Sequence, residues 1–213
     1  VSAYIGSTVK AKVALIENHK MGGDCLNTGC IPSKALIRST KILSYIRRHQ
    51  EFGIKSASAE FNFSEIMERV QSIIKKIAPH DSIERYTNLG VNCFSGFAKI
   101  LSPNQVDING KILTTKNIII ATGAKPTIPA IRGLDKIEFL TTDNLWNIRE
   151  LPKRFCILGG GPIGVELSQC FSRLGSKVTL IEMMPNILSR EDDEISHALR
   201  KSIELEGVDI HIK

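Results

Sequence analysis

The apolar positions of this chain fall into two arrangements. Short compact apolar runs at 12–17, 91–94, 117–121, 155–158, Lys177–Ile181 and 208–212 predict strands, and longer stretches with apolar residues three and four apart predict helices. The first eleven residues read as a short helix leading into strand 12–17, which ends in Glu17. A helix opens at Ile31-Pro32 and carries Leu36, Ile37, Ile42, Leu43 and Ile46; Pro suits a first turn because its missing N–H would have no partner there. After a linker at 52–63, Ser64 is the expected N-cap of a long helix with Ile66, Val70, Ile73, Ile74 and Ile77 on one stripe. That helix continues or breaks at Pro79 and stops near Gly90, the expected left-handed residue before strand 91–94.

Asn109-Gly110 between Gln105–Ile108 and Lys111–Thr114 is a strong hairpin signal, and a buried strand at 117–121 follows it. Residues 125–154 hold Pro126, Pro129 and Pro152 with little periodicity, and read as a crossover between domains. A second unit then runs strand 155–158, a glycine cluster, helix 165–174, strand Lys177–Ile181, helix 190–207 and strand 208–212. Strands alternating with helices predict an α/β fold. Lys-Val-Ala-Leu-Ile-Glu at 12–17 and Lys-Val-Thr-Leu-Ile-Glu at 177–182 match closely, which implies two Rossmann-like nucleotide-binding folds in tandem.

Composition narrows the function classes. With 42% hydrophobic and 23% charged residues over 213 positions, the chain has the makeup of a globular protein able to bury a core. No apolar run approaches membrane-spanning length and the start lacks a signal-peptide pattern, so a cytoplasmic location is expected. The net charge of +6 is scattered or lies on helix faces (Arg47-Arg48, Lys75-Lys76) without an aromatic-studded strand surface, so no nucleic-acid partner is expected. Cys93, Cys156 and Cys170 lie in apolar surroundings and read as small buried hydrophobes; the five histidines show no ligand spacing, and no metal site is expected.

Two stretches carry chemistry. Gly159, Gly161 and Gly164 form Gly-x-Gly-x-x-Gly between a strand and a helix, and Glu182 follows the next strand, eighteen residues past Gly164. That order lets a helix N-terminus approach a pyrophosphate while the acid binds a ribose diol. Glu17 occupies the equivalent strand end in the first unit, where no such glycine pattern precedes the strand, so the chain is expected to begin just after it. The second stretch, 22–34, reads Gly-Gly-Asp-Cys-Leu-Asn-Thr-Gly-Cys-Ile-Pro-Ser-Lys. Cys25 and Cys30, five apart before a helix, suit a redox pair, a stabilising disulfide or two zinc ligands. Zinc sites favour tighter spacings with partner ligands, and stable disulfides are rare in cytosolic chains. A cysteine at the positive end of a helix is favoured as thiolate, the nucleophile of disulfide exchange, and Lys34 lies one turn past Cys30.

This stretch resembles the redox-active motif of the flavin-dependent pyridine nucleotide–disulfide oxidoreductases, and its Pro-Ser-Lys ending is most similar to dihydrolipoyl dehydrogenases and mercuric reductases. Asp24 departs from the Thr or Val of most relatives and puts an acid where the family approaches a flavin phosphate, so it must point away or be paired. The resemblance implies two three-layer domains: an FAD-binding domain over 1–150, without its first glycine fingerprint, and an incomplete NAD-binding domain over 151–213. It implies that Glu17, Gly22, Gly23, Asp24, Gly96, Thr122, Gly123 and Ala124 lie along FAD, and that Gly159, Gly161, Gly164 and Glu182 bind NAD rather than NADP. Cys30 would face the flavin, Cys25 would exchange with substrate, Lys34 would reach the flavin, and Glu166 would lie near the nicotinamide. The implied reaction passes electrons between nicotinamide, flavin and the cysteine pair, with a small disulfide, dithiol or metal ion as substrate. A full-length homodimer is implied, in which this chain would be an internal fragment, inactive alone, lacking the catalytic His-Glu pair. The other readings are a mercuric reductase-like enzyme and a non-catalytic nucleotide-binding or redox-sensing module.

Overall fold

The computed structural model describes all 213 residues and divides them into two compact units, 1–31 with 72–142, and 32–71 with 143–213. These units follow packing, not the expected nucleotide boundary near 150.

The first unit opens with α1 (Ser2–Thr8) and strand β1 (Ala14–Glu17), which pairs in parallel with β2 (Asn92–Ser95) so that Glu17 lies opposite Ser95. Between them in the sequence lie α2 (Gly23–Asn27) and α5 (Ile83–Asn88), which belong to this unit, and α3 (Cys30–Arg47) and α4 (Phe63–Ile77), most of whose residues belong to the second unit. The chain breaks at Pro79, as one of the two expected outcomes had it: α4 ends at Ile77, a short turn covers Ala78–Asp81, and Ser82 caps α5 by accepting the Arg85 N–H. Gly90 follows at φ +82°, the left-handed residue that ends the helix before β2. An antiparallel sheet of β3 (Ala98–Ser102), β4 (Gln105–Ile108) and β5 (Lys111–Thr114) completes this unit. Asn109 and Gly110 both take positive φ, the conformation a two-residue hairpin turn needs, and Asp107 accepts the Gly110 N–H.

Two expectations fail here. The strand at 117–121 does not form: the segment has no regular secondary structure and no ladder partners, and Ile119 and Ile120 are 69% and 70% exposed. An apolar run becomes a strand only when a neighbour accepts its backbone, and the β1–β2 sheet has two strands. Strand β3 was not expected, because its mostly exposed residues lack the alternation that marks a half-buried strand.

The second unit is built on a parallel sheet, β6 (Arg154–Leu158), β7 (Lys177–Ile181) and β8 (Asp209–His211), with β7 in the middle. Helix α6 (Pro162–Leu174) links β6 to β7 and α7 (Asp193–Leu205) precedes β8, starting three residues later than expected. Phe171 is fully buried, with its ring 4.3 Å from Phe155 and 6.2 Å from Phe63. Thr40 of α3 donates its hydroxyl to Cys170 Sγ at 3.5 Å, in an environment where burial pushes the Cys170 thiol up to about 11. Gln169, Ser172 and Arg173 of α6 all bind Glu206, just past the end of α7. Cys156, expected to be buried, is exposed, because the alternation along β6 turns it to the open face of the sheet.

Helix α4 starts two residues earlier than expected, and Asn62 rather than Ser64 caps it, accepting the Ser64 N–H at 2.8 Å. Asn62→Ala is therefore expected to cost about 1 kcal/mol in urea unfolding, whereas Ser64→Ala stays within a few tenths; equal losses would refute the assignment.

Candidate functional site

The cysteine stretch folds as two successive helices, the second continuing from the first unit into the second. Gly22 takes φ +89° at the start of α2, where an added Cβ would strike Leu26, so glycine is required. Cys25 stands on α2, and it is exposed while its neighbour Leu26 is buried. The Asp24 carbonyl accepts both Thr28 N–H and Gly29 N–H, at 2.9 and 2.7 Å, which closes α2 and turns the chain into α3. A Cβ on Gly29 would lie 3.1 Å from that carbonyl oxygen. Cys30 is then the first residue of the 18-residue helix α3 and is exposed, as is Lys34 one turn along.

Asp24 is paired. Its carboxylate accepts the Ala124 N–H at 3.0 Å, and Gly123, at φ +72°, leaves room for it: a Cβ there would lie 2.7 Å from Asp24 Oδ2. Asp24 thus joins the cysteine stretch to the backbone of Gly123 and Ala124, two of the residues expected beside a flavin, with Thr122 next along the chain. Glu17, at the end of β1, turns its carboxylate back to accept the His19 N–H at 2.8 Å, and its carbonyl accepts the Gly96 N–H at 3.0 Å. Gly96 has no room for a side chain, because Asn109 occupies that space and donates to the Ser95 carbonyl.

In the second unit, Gly159 turns at φ +108° and donates its N–H to Ile181 O, which fixes the glycine loop to the end of β7. Glu182 Oε2 accepts the Gly160 N–H at 2.6 Å and Oε1 accepts the Met184 N–H at 2.8 Å. Gly160 was not among the expected site residues, although it is a donor to the acid; the run of three consecutive glycines was the available signal. Gly164 packs its α-carbon against the Gly159 carbonyl so closely that a Cβ would collide with it. Nothing lies within 4 Å of a Cβ built on Gly161, and no side chain caps the N-terminus of α6. Glu166 is half-buried on α6, one turn before Cys170, and forms no ion pair with Lys34.

This loop fits a dinucleotide, with an open approach at Gly161, uncapped amides at a helix start and a carboxylate at the strand end. Around the cysteines, the exposed backbone at 122–124 and the open side of Gly23 fit a flat group lying along the chain. The first thirteen residues contain Gly6 alone and so offer no glycine loop to a flavin pyrophosphate. No cluster of His, Cys, Asp or Glu is arranged to hold a metal ion, and no helix is long and apolar enough to cross a membrane.

The profile of the pyridine nucleotide-disulphide oxidoreductases matches residues 3–213. The chain belongs to this family. It is the family of flavin-dependent, pyridine nucleotide-using oxidoreductases whose redox-active motif 22–34 resembles. Among curated relatives, a dihydrolipoyl dehydrogenase of Acholeplasma laidlawii is 39% identical over all of this chain and 65% of its own length. A mercuric reductase of Bacillus cereus is 33% identical over 98% of this chain and 33% of its own length. The chain therefore spans between a third and two thirds of these relatives. The HOCl-induced flavoprotein disulfide reductase RclA of Escherichia coli superposes with TM-score 0.80 at 28% identity, covering 99% of this chain and 45% of that one. LpdA of Mycobacterium tuberculosis, at TM-score 0.82 and 23% identity, shares the fold. These neighbours bear out the expected α/β, Rossmann-like class.

Proposed function

We propose that this chain is the nucleotide- and disulfide-handling part of an FAD-dependent NADH:disulfide oxidoreductase most like dihydrolipoyl dehydrogenase. The observation that carries the proposal is the placement of Cys25 and Cys30, both exposed, on consecutive helices joined by one tight turn. Residues 1–150 serve FAD and residues 151–213 serve NAD, with Glu17 and Glu182 accepting from the two adenosine riboses. FAD, when bound, links a two-electron hydride donor to thiol–disulfide chemistry. The chain's own residues do the rest. Gly22, Gly23, Asp24, Gly96 and Thr122–Ala124 present backbone and one carboxylate along the flavin. Cys30 and Lys34 share the face turned towards it, Cys25 is the sulfur a substrate reaches, and Glu166 stands near the nicotinamide. The working enzyme is a cytoplasmic homodimer, and its substrate is a small disulfide or dithiol.

The second reading, a mercuric reductase-like enzyme, is favoured by three mercuric reductases at 30–33% identity. Assays of the full-length protein with NADH decide between them: turnover of lipoamide without mercuric ion reduction is expected, and the converse would replace the first reading by the second. Absence of both activities would leave the non-catalytic module.

The intact enzyme is expected to prefer NADH over NADPH. A 2′-phosphate 4–5 Å from Glu182 adds repulsion of about 4 kcal/mol at an effective dielectric of 20, and a third of that after screening gives about tenfold in kcat/KM. Glu182→Ala should narrow the ratio; equal efficiencies before and after the change would refute it.

A further inference from the structure

We propose that Asp24 acts as a fixed negative charge that makes the Cys25–Cys30 pair harder to reduce. The inference rests on the redox reading of that pair. Asp24 precedes Cys25 on α2, and its carbonyl closes the turn that delivers Cys30. The carboxylate is held: it accepts the Ala124 N–H at 3.0 Å in the space left by Gly123. It forms no ion pair within 4.0 Å. The nearest cation along the helix from Cys30 is Lys34, on α3.

The sign follows from the charge balance. Reduction of a Cys25–Cys30 disulfide by NADH breaks the S–S bond and adds two electrons and one proton, leaving one thiol, one thiolate and NAD⁺. One unit of negative charge develops in the pair, and a carboxylate on the adjacent residue opposes it. Asp24 is exposed, so water screens the repulsion, and the expected effect on the reduction equilibrium is about threefold to tenfold.

The test uses the full-length holoprotein equilibrated in glutathione redox buffers, with the state of Cys25 and Cys30 read by alkylation and mass spectrometry. Asp24→Asn keeps an acceptor for the Ala124 N–H and drops the charge, and Asp24→Thr drops the charge with a smaller side chain. Both variants should raise the equilibrium constant for reduction at least twofold; a tenfold rise corresponds to about 30 mV for this two-electron couple. An unchanged thermal midpoint for Asp24→Asn separates this shift from loss of folding. A rise under twofold in Asp24→Asn, or a fall, overturns the proposal, even if Asp24→Thr shifts, because position without charge would then explain the effect. If the unaltered protein never forms a Cys25–Cys30 disulfide under oxidising conditions, the oxidoreductase reading itself fails.

Discussion

Full-length protein carrying Cys25→Ser or Cys30→Ser is expected to lose disulfide turnover by a factor on the order of 10³ or more, since each sulfur is one half of the exchanging pair. Transfer of hydride from NADH to an artificial dye acceptor uses neither sulfur and should persist in both variants. The two changes should nevertheless differ in their spectra. Cys30 begins α3 and lies one turn before Lys34, whereas Cys25 is exposed on α2 beside the buried Leu26. With Cys25 removed, the Cys30 sulfur should donate into oxidised flavin and give a long-wavelength charge-transfer band. With Cys30 removed, the band should vanish. A band in Cys30→Ser alone would reverse the two roles, and full disulfide reductase activity in both variants would make the pair structural.

The glycine loop of the second unit gives the other large expected effect. Gly164→Ala places a methyl against the Gly159 carbonyl, a backbone atom that cannot swing aside as a side chain would. Either the start of α6 or the turn at Gly159 must shift, and the expected loss of stability is about 2–4 kcal/mol, with binding of NADH at least tenfold weaker. Gly161→Ala is the informative partner, because its Cβ meets nothing within 4 Å. It should fold like the parent yet bind NADH more weakly, since the added methyl stands where a pyrophosphate approaches the backbone. Thermal midpoints with and without NADH separate the two: Gly164→Ala should lower both, and Gly161→Ala should lower the NADH-bound midpoint alone. Parent-like midpoints for Gly164→Ala in both conditions would show that the loop has slack.

The sequence made legible what local geometry dictates. Gly159, Gly161, Gly164 and Glu182 could be placed because strand, turn, helix and strand follow one another with little freedom in spacing. Asn109-Gly110 could be placed because its turn needs positive φ at two residues. What the sequence hid depends on distant partners. Asp24 meets Ala124 across a hundred residues, so the alternatives of pointing away or being paired could be posed but not decided. The run at 117–121 has the composition of a strand, but strand formation is decided by a neighbour. Asn62 and Ser64 are both good caps; the choice fell to Asn62 because Phe63, buried against Phe171, is drawn into the first turn of α4. Cys156 shows the same limit, since alternation along β6 is readable but which face stays open is not.

Glu17 and Glu182 share a detail that has a thermodynamic consequence. Each carboxylate accepts the N–H two residues further on, from His19 and from Met184, so the turn after the strand fixes its rotamer. A glutamate in solution samples many rotamers, and ordering one costs about 1.5–2 kcal/mol of entropy. At both strand ends that ordering happens when the chain folds. If, as proposed, the two acids accept from ribose, a hydroxyl pair arriving at either would meet an acceptor already aimed, so binding there would spend little further entropy on the protein side, and a diol of the wrong stereochemistry would find no flexible carboxylate to follow it.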